Sequence, residues 1–148
     1  MARYMTTVKT AKTPKQVFAY MADLRNFAEW DPGVKAVTQV QGSGGGKDAV
    51  FDVTVAGLGL SPDLTLRYMT EEYDAPRNLL VVARSILFTS VDRITVEPDG
   101  TGSVVTYDAD LRLNGVLRVG DLGLRLVFGQ IGDRAAAGLR RVLGAQVS

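Results

Sequence analysis

The chain has 148 residues, 46% of them hydrophobic, and its 17 basic side chains against 16 acidic ones leave a net charge of +1. That balance gives no field for a polyanion, so no nucleic-acid partner is expected, and the length suits one domain, residues 1–148, around one sizeable core. With no Cys and no His, the sequence excludes disulfides, thiolate nucleophiles, imidazole bases and nearly every zinc, haem or non-haem iron site; no cofactor or metal is expected, and any chemistry falls to Asp, Glu, Tyr, Arg, Lys, Ser or Thr.

The opening MARYMTTVKT has no apolar run of signal-peptide length, and no segment approaches the roughly twenty apolar residues of a bilayer span. A cytoplasmic protein without an integral membrane segment is the expectation. Residues 4–10 are β-branched and aromatic without helical period, which predicts a first strand. Thr13-Pro14 then opens a helix, with Thr as cap and Pro in the first turn, and Val17, Phe18, Met21 and Leu24 form its apolar stripe. Asn26 is expected to cap a second short helix through Trp30, and Asp31-Pro32-Gly33 ends it.

Residues 34–113 change to short β-rich runs separated by Gly, Pro and Asp turns. Strands are predicted at 34–41, 48–56, 63–73, 79–86, 88–97 and 103–113, which with the first makes seven. Gly42 to Gly46 reads as a flexible hairpin loop, because GSGGGK lacks the spacing of a phosphate-binding loop.

From about Gly115 to Leu143 the pattern is a long helix. Leu124, Val127, Phe128, Ile131, Ala135, Leu139 and Val142 form its apolar stripe, and Arg134, Arg140 and Arg141 fall on its solvated face. Gly120, Gly123, Gly129, Gly132 and Gly138 each cost roughly 1 kcal/mol against Ala, so either the helix is kinked or something lies close to its backbone. Elements in this order do not make a doubly wound fold. They predict an α+β architecture, a curved seven-stranded antiparallel sheet gripping the long C-terminal helix, with two short helices between strands 1 and 2 and a cavity between sheet and helix.

The segment TPKQVFAYMADLRNFAEWDPGV resembles the first helix pair of the START and polyketide cyclase/dehydrase-like (SRPBCC) superfamily. EEYDAPRNL, EPDGTGSVVTYDADLRLNG and IGDRAAAGLRRVL resemble its strand-turn, last hairpin and final helix. The resemblance implies a helix-grip fold enclosing a hydrophobic cavity, used for lipid or polyketide binding, for cyclisation and dehydration, or for regulatory roles. The branch that serves as oxygenase domains needs His ligands to iron, and this chain has none.

Strand alternation sorts the candidate residues. Val105, Tyr107, Ala109, Leu111 and Leu113 make the inward face of the last strand, and Phe88, Ser90, Asp92, Ile94 and Val96 that of the strand before it. Leu64, Leu66 and Tyr68, Phe51, Val53 and Val55, and Val81 and Ala83 are sorted likewise; Arg84 falls in the opposite register and reaches Asp92 only across a bulge. Asp92, Tyr68 and Tyr107 are the acid–base candidates, on the reading that they face an apolar pocket. Alternatively Asp92 is solvated or paired with an Arg, and the tyrosines are packing residues. Ligand contacts are expected from Phe27, Trp30, Phe51, Val53, Leu66, Tyr68, Val81, Ala83, Asp92, Ile94, Tyr107, Ala109, Leu111, Val127, Phe128 and Ile131. Trp30 is expected at the rim where the short helices meet the sheet.

Three functions follow from the sequence. The first is non-catalytic binding of a hydrophobic small molecule, a lipid or polyketide-like compound. The second is a metal-free cyclase or dehydratase using Asp and Tyr. The third is an interaction module with an exposed apolar patch, which a homodimer would also bury.

Overall fold

A computed structural model describes residues 2–56, 62–85, 88–113 and 121–144, the side chains of residues 2, 113 and 121–128 excepted. The chain runs β1 (Ala2–Thr10), α1 (Pro14–Ala22), a 3-10 turn (Leu24–Asn26), α2 (Phe27–Trp30), β2 (Val34–Gln41), β3 (Val50–Val55), β4 (Leu64–Asp74), β5 (Asn78–Arg84), β6 (Phe88–Asp99), β7 (Gly102–Leu113) and α3 (Asp121–Leu143). The strands form one seven-stranded antiparallel sheet in the order β1-β7-β6-β5-β4-β3-β2. This is the expected helix-grip arrangement, and the strand boundaries fall within two residues of those predicted.

Thr13 caps α1 as expected: its hydroxyl accepts from the Gln16 N–H at 3.3 Å, and the Gln16 side chain accepts from the Thr13 N–H at 3.1 Å. Asn26 does not cap α2. Its amide instead donates to the Tyr20 carbonyl at 2.9 Å, and Asp23, accepting from the Arg25 N–H at 3.1 Å, caps the turn before it. The Gly42–Gly46 loop is bridged by Gln39. The Gln39 amide accepts from the Gly44 N–H at 3.0 Å and donates to the Gly44 carbonyl at 2.9 Å, while Gly45 abuts Ala22 of α1.

The core lies between the inner sheet face, α1 and α2, and the second half of α3. Alternation is kept along β6 and β7, so Ser90, Asp92, Ile94 and Val96 and Ser103, Val105, Tyr107 and Ala109 point inward. Leu64 departs from its expected inward place, being 41% exposed at the start of β4. The outer face carries cross-strand ion pairs, Arg3 with Asp108 at 2.7 Å, Arg67 with Asp52 at 2.8 Å and Arg93 with Glu72 at 3.1 Å. Arg84 joins this face by pairing with Glu71, the residue at the β4 irregularity between Thr70 and Glu72, and does not reach Asp92.

Two of the glycines of α3, Gly132 and Gly138, are accounted for by close approach. A Cβ on Gly138 would stand 1.7 Å from the Trp30 carbonyl oxygen, and one on Gly132 would stand 2.3 Å from the Tyr4 ring. The buried face of α3 therefore mixes small residues with two leucines. Gly132, Ala135, Ala136, Gly138, Leu139 and Leu143 are buried, whereas Ile131 and Val142 of the predicted stripe are half-buried. Leu124, Val127 and Phe128 lie outside the residues whose side chains are described, and Gly115 and Gly120 outside the described residues altogether.

Candidate functional site

Three rows of the sheet place the polar candidates side by side. Tyr68 of β4 is opposite Ala83 of β5, which is opposite Ser90 of β6. The Ala83 methyl leaves room above it, so the Tyr68 hydroxyl reaches across a whole strand to Ser90 Oγ at 2.9 Å. In the next row Asp92 is opposite Val81 on one side and Ala109 on the other, and Ala109 again leaves the space open. Tyr107, diagonal to Asp92 in the third row, donates its hydroxyl to Asp92 Oδ2 at 2.6 Å, while Ser90 Oγ donates to Asp92 Oδ1 at 3.4 Å. The result is a polar chain, Tyr68–Ser90–Asp92–Tyr107, on an otherwise apolar surface.

Asp92 is 3% exposed, neither solvated nor partnered by an arginine as one reading of the sequence had it. An inward side chain at the middle of β6 lies far from both the water and the outer-face arginines. Burial pushes its carboxyl up to about 7, opposed by the hydrogen bonds from Tyr107 and Ser90 and reinforced by the carboxylates of Asp31 and Asp108. Burial likewise raises the Tyr68 and Tyr107 hydroxyls well above the usual phenol range, and Asp92 adds to both. These phenols stay protonated, and that of Tyr107 donates to Asp92.

Trp30 packs where α2 meets the sheet and α3. It is 2% exposed, and its indole meets Phe27 edge-on at 4.9 Å and Tyr107 at 5.4 Å. Gly138 lets α3 press against the Trp30 backbone, which carries the ring inward. Phe51, Val53, Val81, Ala83 and Ile94 are buried on the same inner face, with Ala109, whereas Leu66, Leu111 and Ile131 are half-buried.

Two participants escaped the sequence reading. Ser90 was placed inward by the alternation that placed Asp92, yet as a small hydroxyl it gave no separate signal. Asp31 sits in a loop, where no periodicity applies. Its Oδ1 accepts from the Gly33 N–H at 2.9 Å, burial raises its carboxyl, and its charge acts on Asp92, Tyr68 and Tyr107.

A cleft of about 360 Å³ opens where α2 crosses α3, lined by Ala28, Glu29, Trp30, Asp31, Pro32, Arg134, Ala137, Gly138 and Arg141. Trp30 and Asp31 thus belong both to this cleft and to the surroundings of the polar chain. Among the described residues no group of His, Cys, Asp and Glu could hold a metal ion.

Residues 1–144 match the family model described as polyketide cyclase / dehydrase and lipid transport. No curated protein matches the chain in sequence. Among solved structures, a START superfamily protein from Mycobacterium smegmatis superposes with a TM-score of 0.77 at 13% identity, covering 100% of both chains. The protein DR_A0006 from Deinococcus radiodurans gives 0.73 at 11% identity, covering 99% of this chain and 97% of its own. The di-domain ARO/CYC StfQ of the steffimycin biosynthetic pathway gives 0.61 at 15% identity, covering 99% of this chain and 46% of its own. At these identities the superpositions establish a shared fold.

Proposed function

The chain belongs to the polyketide cyclase / dehydrase and lipid transport family, and from that premise we propose that it acts as a single domain binding a hydrophobic small molecule against the inner face of its sheet. The observation that carries this reading is the buried chain Tyr68–Ser90–Asp92–Tyr107, set among apolar side chains. A core needs no such group, since burying polar atoms gains little stability even when they are paired. A binding surface does need one: apolar walls supply affinity, and a few fixed polar groups orient the occupant. The occupant is a lipid or polyketide-like molecule bearing a hydroxyl or carbonyl. Native mass spectrometry of the protein purified from its own host is expected to show a co-purifying small molecule. A ligand-free spectrum, together with no thermal shift across a panel of lipids and aromatic polyketides, would contradict the reading.

One observation favours a second, catalytic reading. A carboxyl titrating near 7 and held by a phenol is poised to exchange a proton at neutral pH. Asp92 as carboxylate would take a proton from the carbon beside a ligand carbonyl. The resulting enolate would add to a second carbonyl of the same molecule, and the proton would pass from Asp92 to the new alkoxide, closing a ring without metal or redox partner. The two readings separate in D92N, which is expected to retain binding in both and to abolish turnover of a poly-β-ketone only in the second.

A further inference from the structure

Trp30 carries a polar atom that the proposed anchor leaves unused. Its Nε1 is buried and meets no hydrogen-bond acceptor among the described residues. Native interiors leave few such groups without a reason, because a donor stripped of water and given no acceptor is costly. The indole also has little freedom to turn toward an acceptor elsewhere. Phe27 and Tyr107 meet it edge-on, and the close approach of Gly138 holds its backbone. The Tyr107 hydroxyl donates to Asp92 and accepts nothing from the indole.

We propose that Trp30 Nε1–H is a recognition donor for the ligand, receiving a carbonyl or ether oxygen carried on an apolar ring system. The inference rests on the reading that an apolar molecule occupies the inner face, and it narrows that molecule's chemistry. The ligand must present an acceptor to the α2 side of the site, which a single carbonyl supplies. A purely hydrocarbon occupant would leave the indole N–H as costly as before.

The sequence contains one tryptophan, so the indole signal of labelled protein belongs to Trp30 alone. Two probes of matched shape, anthrone and 9,10-dihydroanthracene, differ in one carbonyl oxygen. Wild-type protein is expected to bind anthrone roughly tenfold more tightly, and only anthrone is expected to move the indole ¹⁵N–¹H resonance downfield. W30F, which keeps an aromatic ring and lacks the N–H, is expected to bind both alike. Equal wild-type affinities with an unmoved indole resonance at saturation would overturn the inference and leave ligand binding intact. Failure of both probes to bind would overturn this inference, and with a ligand-free native spectrum and no thermal shift across the lipid and polyketide panel it would overturn the ligand-binding reading as well. The resonance is measured on wild-type protein, so the test stands even if W30F does not fold.

Discussion

An inward carboxyl in mid-strand must find a cation or hold its proton, and Asp92 has only hydroxyls for partners. Its titration is displaced from the ordinary value near 4 to about 7, so between those values the folded protein holds a proton that the unfolded chain releases. This contribution to stability is fully present below pH 4, falls as pH rises from 4 to 7, and is gone above. D92N removes the titration. Its stability relative to wild type is therefore expected to improve by about 2–4 kcal/mol between pH 4 and pH 8, read by urea denaturation across that range; an unchanged difference would place the carboxyl in water. Y107F deletes the hydrogen bond that favours the ionised form. The Asp92 carboxyl is then expected to titrate at a higher pH than in wild type, followed by its carbon resonance.

At the scale of elements, the close crossing of α2 and α3 decides how deep Trp30 sits. G138A puts a methyl into the Trp30 carbonyl and is expected to cost about 2–3 kcal/mol in chemical denaturation. G129A, in the same helix with no atom within 4 Å of its added Cβ, is expected to gain up to about 1 kcal/mol through helix propensity alone. T13A, which dismantles the capping box of α1, is expected to lose about 1 kcal/mol. The cap was legible because a Thr-Pro pair is a local signal, and the strands were legible because alternation and turn residues are local too. The seat of Trp30 was not. It depends on Gly138 lying more than a hundred residues away, and the sequence registers only that this helix holds unusually many glycines.

For the whole molecule, the two faces of the sheet divide the candidate functions. Exposed large apolar side chains among the described residues are Met5, Val40, Leu64 and Met69, spread over β1, β2 and β4, while ion pairs link strands across the outer face. That surface suits water better than a partner's apolar patch. The inner face gathers Tyr68, Ser90, Asp92 and Tyr107 from three strands, and alternation predicted the inward direction of each. Their hydrogen bonding was beyond it, because register across β4, β5, β6 and β7, with alanines in the intervening positions, is a tertiary property.

The claim that the inner face is a binding surface is tested most directly by mapping amide shifts in wild-type protein titrated with anthrone. Shifts centred on Tyr68, Ser90, Asp92 and Tyr107, with their outward neighbours Arg67, Val91, Arg93 and Asp108 little moved, are the predicted result. A saturable titration whose shifts are confined to the outer face, or no shift at all, would contradict the account.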